Sequence, residues 1–169
     1  PVARRVEVER EALGAPPDWL EIMMVGWVRL LEDGKPVSMS KRAGEFITMR
    51  ELIDDVGVDV AKYFFLMRRA NSPLDFDLTL ARKQSDENPV YYVQYAHARI
   101  CSVLGQWGGD AATLFGSDLS PLVSKYESDL LRALADFPEL LATAARELSP
   151  HLVCVYLGEL AAKLHSYYN

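Results

Sequence analysis

Residues 38–42 combine two hydroxyl groups with two cationic side chains in a stretch that carries little apolar anchoring. Gly34 and Pro36 before this stretch predict a turn, and Gly44 after it lets the backbone move. An ammonium group on a mobile loop can follow negative charge as that charge shifts during phosphoryl chemistry, so the stretch suits a polyphosphate ligand. A solvated surface turn is the alternative, because one Lys-Arg pair in a serine-rich turn is common. The stretch consists of Ser38, Met39, Ser40, Lys41 and Arg42.

The composition indicates a globular chain that can bury a core of its own. It has 169 residues, half of them hydrophobic, and a formal net charge of −6. This charge argues against a generic polyanion binder, although a local basic stripe can bind nucleic acid within an acidic protein. No apolar run approaches the roughly 20 residues that span a bilayer. Cys101 and Cys154 lack metal-like spacing, so we interpret both as small buried hydrophobes in a reducing compartment. We expect a soluble, cytoplasmic protein.

The first half of the chain predicts short helices around one or two strands. A nearly continuous apolar run at 19–31 predicts a buried strand, and the turn signal at 32–34 predicts that 37–39 pairs back as a hairpin arm. Thr48 and Glu51 fit a capping box, which predicts a helix start, and Gly57 predicts its end. Asp59 is the predicted cap of the next helix.

The segment from 71 to 83 contains a helix break and two alternating carboxylates. Residues 74–78 alternate apolar and acidic side chains, which predicts either a short strand or an extended link. Asp75 and Asp77 point the same way on a strand, so we expect them to cap and to pair with Arg68 or Arg69 rather than to act in catalysis. Asp77 is the predicted cap of a short helix.

From residue 88 to the end the pattern is helical throughout. Asn88 followed by Pro89 predicts the start of a long helix, which Gly108 ends. Three further Xaa-Pro pairs predict three further helix starts, and apolar residues recur with a period near 3.6 after each of them. Four antiparallel helices with short links predict a helical bundle. The three pairs are Ser120-Pro121, Phe137-Pro138 and Ser149-Pro150.

Three motifs occur in one order along the chain, at 38–42, 72–77 and 87–99. They read Ser-Met-Ser-Lys-Arg, Ser-Pro-Leu-Asp-Phe-Asp and Glu-Asn-Pro-Val-Tyr-Tyr-Val-Gln-Tyr-Ala-His-Ala-Arg. Together with the ending at 160–169, this set resembles the arginyl-tRNA synthetase family of class I aminoacyl-tRNA synthetases. The first motif resembles the KMSKS loop that is shared by the whole class. The third motif resembles the arginine-specific synthetases in particular. The resemblance covers nearly the whole chain.

The resemblance implies a fold that is mainly α. The expected architecture is the C-terminal end of a Rossmann-type α/β catalytic domain, with one or two short strands, followed by an all-α anticodon-binding helical bundle. We expect the first part over residues 1–86 and the second, truncated at its end, over 87–169. The His-x-Gly-His signature of the class does not occur here. We therefore expect this chain to be the C-terminal part of the enzyme and to be inactive as a ligase by itself. We also expect it to be a monomer.

The resemblance also implies ATP binding by the 38–42 stretch. In the family, the second lysine of the loop stabilises the triphosphate as pyrophosphate leaves, and Lys41 matches that lysine. Two positions depart from the family pattern, since Ser38 replaces the first lysine and Arg42 replaces the final serine. Mg²⁺ is expected with ATP, but the sequence offers no ligand set for it.

Two groups of residues are candidates for contact with tRNA. Flat aromatic and amide side chains at helical spacing can stack on splayed bases, although packing in the core or a frayed helix end explains them as well. The first group is Gln94, Tyr95, Arg99, His165, Tyr168 and Asn169. Cations near residue 86 can contact phosphates or simply be solvated, and these are Lys62, Arg68, Arg69, Arg82 and Lys83. His97 is interpreted as a packed or interface histidine.

We predict that this chain is part of an enzyme that ligates arginine to tRNA. ATP and L-arginine, the latter bound mainly upstream of this chain, form arginyl-adenylate, and the arginyl group then passes to tRNA(Arg), with release of AMP and pyrophosphate. The chain would contribute the ATP loop and the tRNA-binding bundle. One alternative is a non-catalytic synthetase-like module that binds tRNA or another protein. A second alternative is a helical adaptor without an RNA partner.

Overall fold

The computed structural model describes residues 2–16, 23–38 and 46–168. Within these ranges the chain is mainly helical and contains one small sheet, which confirms the predicted fold class. The sheet has three strands rather than one or two. The elements are α1 (Val2–Leu13), β1 (Val28–Glu32), β2 (Lys35–Pro36), α2 (Met49–Val56), α3 (Val58–Leu66), β3 (Leu74–Asp77), α4 (Leu78–Ala81), α5 (Pro89–Trp107), a 3-10 turn (Ala111–Leu114), α6 (Lys125–Arg146) and α7 (His151–Tyr168).

Strand β1 lies in the centre of the sheet, in the order β2-β1-β3. It pairs antiparallel with β2, so a hairpin forms as predicted, but its second arm is Lys35–Pro36 rather than 37–39. It pairs parallel with β3. Because parallel neighbours need a crossover, helices α2 and α3 fill the connection between β1 and β3. The alternating segment at 74–77 is therefore a strand rather than an extended link.

The sheet and helices α2 to α4 form what we call the α/β unit, and its core lies between the sheet and these helices. Phe64 of α3 and Phe76 of β3 are almost fully buried, and their ring centroids lie 5.0 Å apart. Leu78, the first residue of α4, is buried beside them. Val90 of α5 belongs to the same cluster, so the start of α5 packs on the α/β unit.

Helices α5, α6 and α7 form a bundle in which α7 packs against both α5 and α6. The Phe137 and Tyr156 rings stack at 5.0 Å between α6 and α7, and the Tyr156 hydroxyl donates to the carbonyl of Ala133 at 3.2 Å. Helix α3 also contacts α5 and α7. Its Tyr63 hydroxyl donates to the carbonyl of Cys154 at 2.9 Å, which joins the α/β unit to the bundle.

The prediction of a buried strand over 19–31 is wrong for the part that the structure describes. Strand β1 begins only at Val28, residues 23–27 have no regular structure, and only Leu30 of the strand is buried. The reason lies in the partner strand, because β3 begins at Leu74 directly after Pro73. Proline has no N–H to donate, so the ladder cannot continue beyond this point.

Two predicted helix starts and one predicted cap are also wrong. Helix α6 begins after Ser124, which forms a capping box with Glu127, and it runs without a break through Pro138. The described bundle therefore has three long helices rather than four. Ser120-Pro121 lies in the turn before α6, and Gly57, not Asp59, precedes α3. The starts of α2 after Thr48, of α4 after Asp77 and of α5 after Asn88 are confirmed.

The second half of α5 lies open to solvent. Every residue from 101 to 121 is exposed, including Cys101, so the prediction that both cysteines are buried holds only for Cys154. The apolar pattern that suggested burial of Cys101 is real, but no described element packs over that face. Among the described helices, none is both long and apolar enough to cross a bilayer.

Candidate nucleic-acid interface

The predicted ATP-binding stretch lies almost entirely outside the described residues. Ser38 is described and exposed, whereas Met39, Ser40, Lys41 and Arg42 lie outside. The chain enters the stretch from the β1–β2 hairpin, where the amide of Val37 donates to the carbonyl of Leu30 at 2.9 Å. No prediction on the residues of this stretch is tested by the structure.

The chain leaves this stretch into a firmly capped helix. The hydroxyl of Thr48 accepts from the amide of Glu51 at 3.1 Å, and a Glu51 carboxylate oxygen accepts from the amide of Thr48 at 2.7 Å. The Thr48 hydroxyl also donates to the same carboxylate oxygen at 2.8 Å, and the two hydrogen bonds that the carboxylate accepts from the amide and the hydroxyl of Thr48 lower the pKa of Glu51. The N-cap of α2, Thr48, thereby lies six positions after Arg42 in the sequence.

Aromatic rings from α5 and α7 meet around one histidine. The His165 ring lies edge-on to Tyr92 at 4.8 Å and stacks with Tyr95 at 5.6 Å. The guanidinium of Arg99 lies over the Tyr168 ring at 4.2 Å and within 5.6 Å of the Tyr95 centroid. We call these five residues the aromatic cluster: Tyr92, Tyr95, Arg99, His165 and Tyr168.

The aromatic cluster has a buried floor and exposed edges. His165 is 9% exposed, whereas Tyr95 is 48% and Tyr168 is 50% exposed. Nη1 of Arg99 lies 3.3 Å from Nδ1 of His165. A guanidinium has only donors, so a hydrogen bond here requires Nδ1 as the acceptor. Nε2 of His165 is buried and has no hydrogen-bond partner among the described residues. The cluster can therefore offer ring faces and a cation to a flat ligand.

The aromatic cluster unites most of the first group of predicted tRNA contacts. Tyr95, Arg99, His165 and Tyr168 come together, although 66 positions separate Arg99 from His165. Gln94 does not join them, because it lines a groove with Lys62 and Tyr63 between α3 and the bundle. Asn169 lies outside the described residues. Tyr92 is not among the predicted contacts, and its i, i+3 spacing to Tyr95 is the signal that could have added it.

The second group of predicted contacts divides into free and paired cations. Lys62, Arg68 and Arg69 are exposed and make no ion pair with a residue of 2–16, 23–38 or 46–168. Arg82 pairs with Asp55 and with Glu32, each at 2.7 Å, and Lys83 pairs with Glu87. The hydrogen bonds to Asp55 and Glu32 raise the pKa of Arg82.

The predicted pairing of the alternating carboxylates is wrong. Asp75 pairs with Arg29, the residue beside it on β1, through two hydrogen bonds of 2.7 and 2.9 Å. The parallel register places Arg29 directly opposite Asp75, which a sequence without its strand pairing does not reveal. The predicted capping role of Asp77 is confirmed, since its carboxylate accepts from the amide of Leu80 at 3.0 Å.

His97 is exposed rather than packed. Its Nε2 lies 3.7 Å from Sγ of Cys101, one turn further along α5. The i, i+4 spacing of the two residues is the signal that predicts this contact. The ring also borders a mainly apolar groove between α5, α6 and α7.

Comparisons with known proteins point to one family. The family described as DALR anticodon binding domain matches residues 93–169. The arginine–tRNA ligase of Nitrosospira multiformis is 54% identical over 165 residues, which are 98% of this chain and 28% of that protein. Arginine–tRNA ligase 1 of Halalkalibacterium halodurans is 47% identical over 98% of this chain and 30% of its own length. The chain thus spans less than a third of these curated relatives.

Solved structures give the same result. A structure assigned to an arginyl-tRNA synthetase from Campylobacter jejuni superposes with a TM-score of 0.85 and 34% identity, over 95% of this chain and 35% of the other. The arginyl-tRNA synthetase of Thermus thermophilus superposes with a TM-score of 0.58 and 28% identity, over 83% of this chain and 26% of the other. The match includes the α/β unit as well as the bundle, because it covers nearly the whole chain.

Proposed function

Because this chain belongs to the arginyl-tRNA synthetase family, we propose that it takes part in joining arginine to tRNA(Arg). The bundle holds the anticodon arm of the tRNA, and the 38–42 stretch binds the phosphates of ATP. The observation that carries the tRNA part is the aromatic cluster, of which every residue except Tyr92 lies within residues 93–169, the range that matches the DALR anticodon binding domain. Its half-exposed rings and the Arg99 guanidinium suit unpaired bases, which stack on flat side chains.

The division of labour follows the chain. Residues 1–86 are proposed as the end of the catalytic domain and residues 87–169 as the anticodon-binding domain. The start of α5 at Asn88 and Pro89 supports a boundary at this point. The hydrogen bond between Tyr63 and the carbonyl of Cys154 would join the two proposed domains.

The chemistry assigned to the 38–42 stretch is stabilisation of charge. In the proposed reaction the carboxylate of arginine attacks the α-phosphorus of ATP, arginyl-adenylate forms and pyrophosphate leaves. The arginyl group then passes to the terminal ribose of the tRNA, and AMP is released. The ammonium group of Lys41 would stabilise the negative charge that grows on the departing phosphates. Ser38, Met39, Ser40 and Arg42 would contribute hydroxyl, backbone and cationic contacts.

Magnesium is expected to accompany ATP. Among the residues described, no group of three or more His, Cys, Asp or Glu side chains could hold a metal ion. The binding of L-arginine, the cytoplasmic location and the monomeric state also stay predictions from the sequence. We expect the chain by itself to form no arginyl-tRNA, which an assay of radioactive arginine incorporation measures.

The test of tRNA binding is a titration of this chain with a tRNA(Arg) transcript across a salt series. We expect tighter binding to tRNA(Arg) than to a non-cognate tRNA, and a loss of that preference when the anticodon loop is changed. Tyr168→Ala should weaken binding about 5- to 150-fold, because stacking on one base contributes about 1–3 kcal/mol. Tyr168→Phe keeps the ring and should bind as the unaltered chain does.

A matched control is Lys125→Met, since Lys125 lies on α6 and pairs with Asp129. Equal affinity for cognate and non-cognate tRNA, or equal effects of Tyr168→Ala and Lys125→Met, would contradict anticodon recognition by the aromatic cluster. The non-catalytic module is the second candidate. It would bind tRNA in the same way, but a polypeptide that contains this chain would form no arginyl-adenylate. The ligase names of the relatives favour the first candidate.

A further inference from the structure

His97 and Cys101 bring an imidazole and a thiol together on the surface of α5. Nε2 of His97 lies 3.7 Å from Sγ of Cys101, and Nδ1 of the same ring lies 3.8 Å from it. The two residues are four positions apart, so their side chains lie one turn apart on the same side of the helix. Both residues are exposed. The thiol and the ring therefore meet where solvent reaches both of them.

This pair has the chemistry of a ligand set for Zn²⁺. Thiolate sulfur and imidazole nitrogen are common donors to this ion in proteins. Zn²⁺ lies about 2.3 Å from sulfur and about 2.0–2.1 Å from nitrogen, so at the tetrahedral angle two such donor atoms are about 3.6 Å apart. The separations of 3.7 and 3.8 Å are close to this value. A rotation of the exposed His97 ring about its own bonds can direct a nitrogen lone pair at the ion without moving the helix.

The donor atoms of this pair are available, unlike those of a second histidine and cysteine in the chain. Within the described ranges, the contact with each other is the one polar interaction of the His97 and Cys101 side chains. His151 and Cys154 are three positions apart on α7, but Cys154 is only 7% exposed. Burial raises the pKa of the Cys154 thiol, which disfavours the thiolate that a metal ion requires.

The pair lies on a different face of α5 from the aromatic cluster. Consecutive residues of a helix are about 100° apart, so His97 lies about 200° around the helix axis from Tyr95. An ion held by His97 and Cys101 would therefore leave the exposed ring faces of the aromatic cluster uncovered. This site does not depend on the proposed role of the bundle in tRNA binding.

We propose that His97 and Cys101 form a binding site for Zn²⁺ on the surface of α5. The thiol of Cys101 releases its proton to water and binds as the thiolate, and a ring nitrogen of His97 supplies its lone pair. Water occupies the two remaining positions of the tetrahedral ion. Structural zinc sites have four protein ligands, so this site should bind Zn²⁺ more weakly than they do. Bound Zn²⁺ should stabilise the folded chain, because it spans one turn of a helix that the unfolded chain lacks.

The test uses Co²⁺ as a spectroscopic probe for the same site. A thiolate that binds Co²⁺ gives a charge-transfer band in the near ultraviolet, so titration of the reduced, untagged chain reports coordination by a cysteine. We expect this band to saturate at one ion per chain, and Zn²⁺ to displace Co²⁺. Cys101→Ser should remove the band. His97→Ala should weaken Co²⁺ binding at least about 10-fold, because even the loss of an outer-shell partner costs about 10- to 100-fold.

The matched controls lie on α7. His151→Gln and Cys154→Ala should leave the band unchanged, and circular dichroism should show that each variant keeps its helices. Absence of the band in the unaltered chain, a band that persists in Cys101→Ser, or an unchanged affinity in His97→Ala overturns the proposal. Saturation at half an ion per chain overturns it too, because two chains would then fill the positions assigned to water. The tRNA titration needs no Co²⁺ or Zn²⁺, so its failure contradicts the proposed function alone.

Discussion

The Tyr63 hydroxyl donates to the main-chain carbonyl of Cys154 at 2.9 Å, across 91 positions of sequence. This bond joins a helix of the α/β unit to the central helix of the bundle. Tyr63→Phe removes the hydroxyl and leaves the ring. We expect a loss of about 1 kcal/mol in the free energy of unfolding, because a carbonyl loses its partner in a half-buried position. Urea unfolding followed by circular dichroism measures this loss.

The same bond predicts a dependence on pH. Burial raises the pKa of Tyr63, so the folded chain keeps its phenol proton at a pH where the unfolded chain, with a pKa of about 10, loses it. The stabilisation is complete below this value and is lost as pH rises through the folded pKa. The free energy of unfolding of Tyr63→Phe should therefore decline less steeply above pH 10 than that of the unaltered chain. Burial also raises the pKa values of Tyr156 and of the Cys154 thiol, so an identical slope in Tyr63→Phe would assign the effect to these two groups instead.

The capping box at Thr48 should contribute measurably to the start of α2. We expect Thr48→Ala to lower the free energy of unfolding by about 1 kcal/mol, since a helix amide loses its acceptor. The pKa of Glu51 is lowered by its bonds to Thr48, so its contribution is present above about pH 4 and disappears as pH falls through the folded pKa. The difference in free energy of unfolding between Thr48→Ala and the unaltered chain should therefore become smaller at acidic pH. Ser102→Ala, an exposed hydroxyl within α5, is the control and should change little.

Pro138 interrupts the hydrogen bonds inside α6, although the helix continues through it. Pro138→Ala supplies the missing amide and removes the ring from the preceding turn. We expect an increase of about 1–3 kcal/mol in the free energy of unfolding. Thermal unfolding measures it, and Ala142→Pro in the same helix should have the opposite effect. A less stable Pro138→Ala would mean that a bend at this position is needed for α6 to pack on α7.

Arg68 and Arg69 are adjacent, exposed cations that form no ion pair within the described part of the chain, so they are candidates for phosphate contacts. The double variant Arg68→Gln, Arg69→Gln should weaken tRNA binding without changing the preference for tRNA(Arg). Each lost phosphate contact should reduce the slope of log K against log salt concentration by about 1. The slope comes from the same titration series. Lys83→Gln is the comparison, because Lys83 already pairs with Glu87, and an equal effect there would indicate a general loss of charge.

Local chemistry in the sequence predicts most helix boundaries of this chain. The box at Thr48 and Glu51, the Asn88-Pro89 start and Gly108 in its left-handed conformation are all confirmed. Each acts within a few residues of its own position, so the neighbours along the chain suffice. Pro138 is the exception, since packing of Phe137 on Tyr156 holds α6 together across a residue that local chemistry would place at a helix start.

Pairs between distant residues account for what the sequence does not predict. The ion pair of Arg29 with Asp75 depends on the register of β1 and β3. The hydrogen bond between Asp33 and Thr79 depends on where α4 packs against the β1–β2 hairpin. Of the candidate site, the family motif indicates Tyr95 and Arg99, and the end of the chain indicates His165. Only the packing of α7 on α5 reveals that these residues form one cluster.

The exposure of residues 101–121 has a thermodynamic consequence. Large apolar side chains, among them Trp107 at 47% and Phe115 at 90% exposure, already contact water in the folded chain. Unfolding therefore hydrates less new apolar surface than it does in a fully packed chain of the same length. Since heat capacity and urea sensitivity both scale with newly exposed surface, both should be low for 169 residues. The curve of stability against temperature should accordingly be unusually flat.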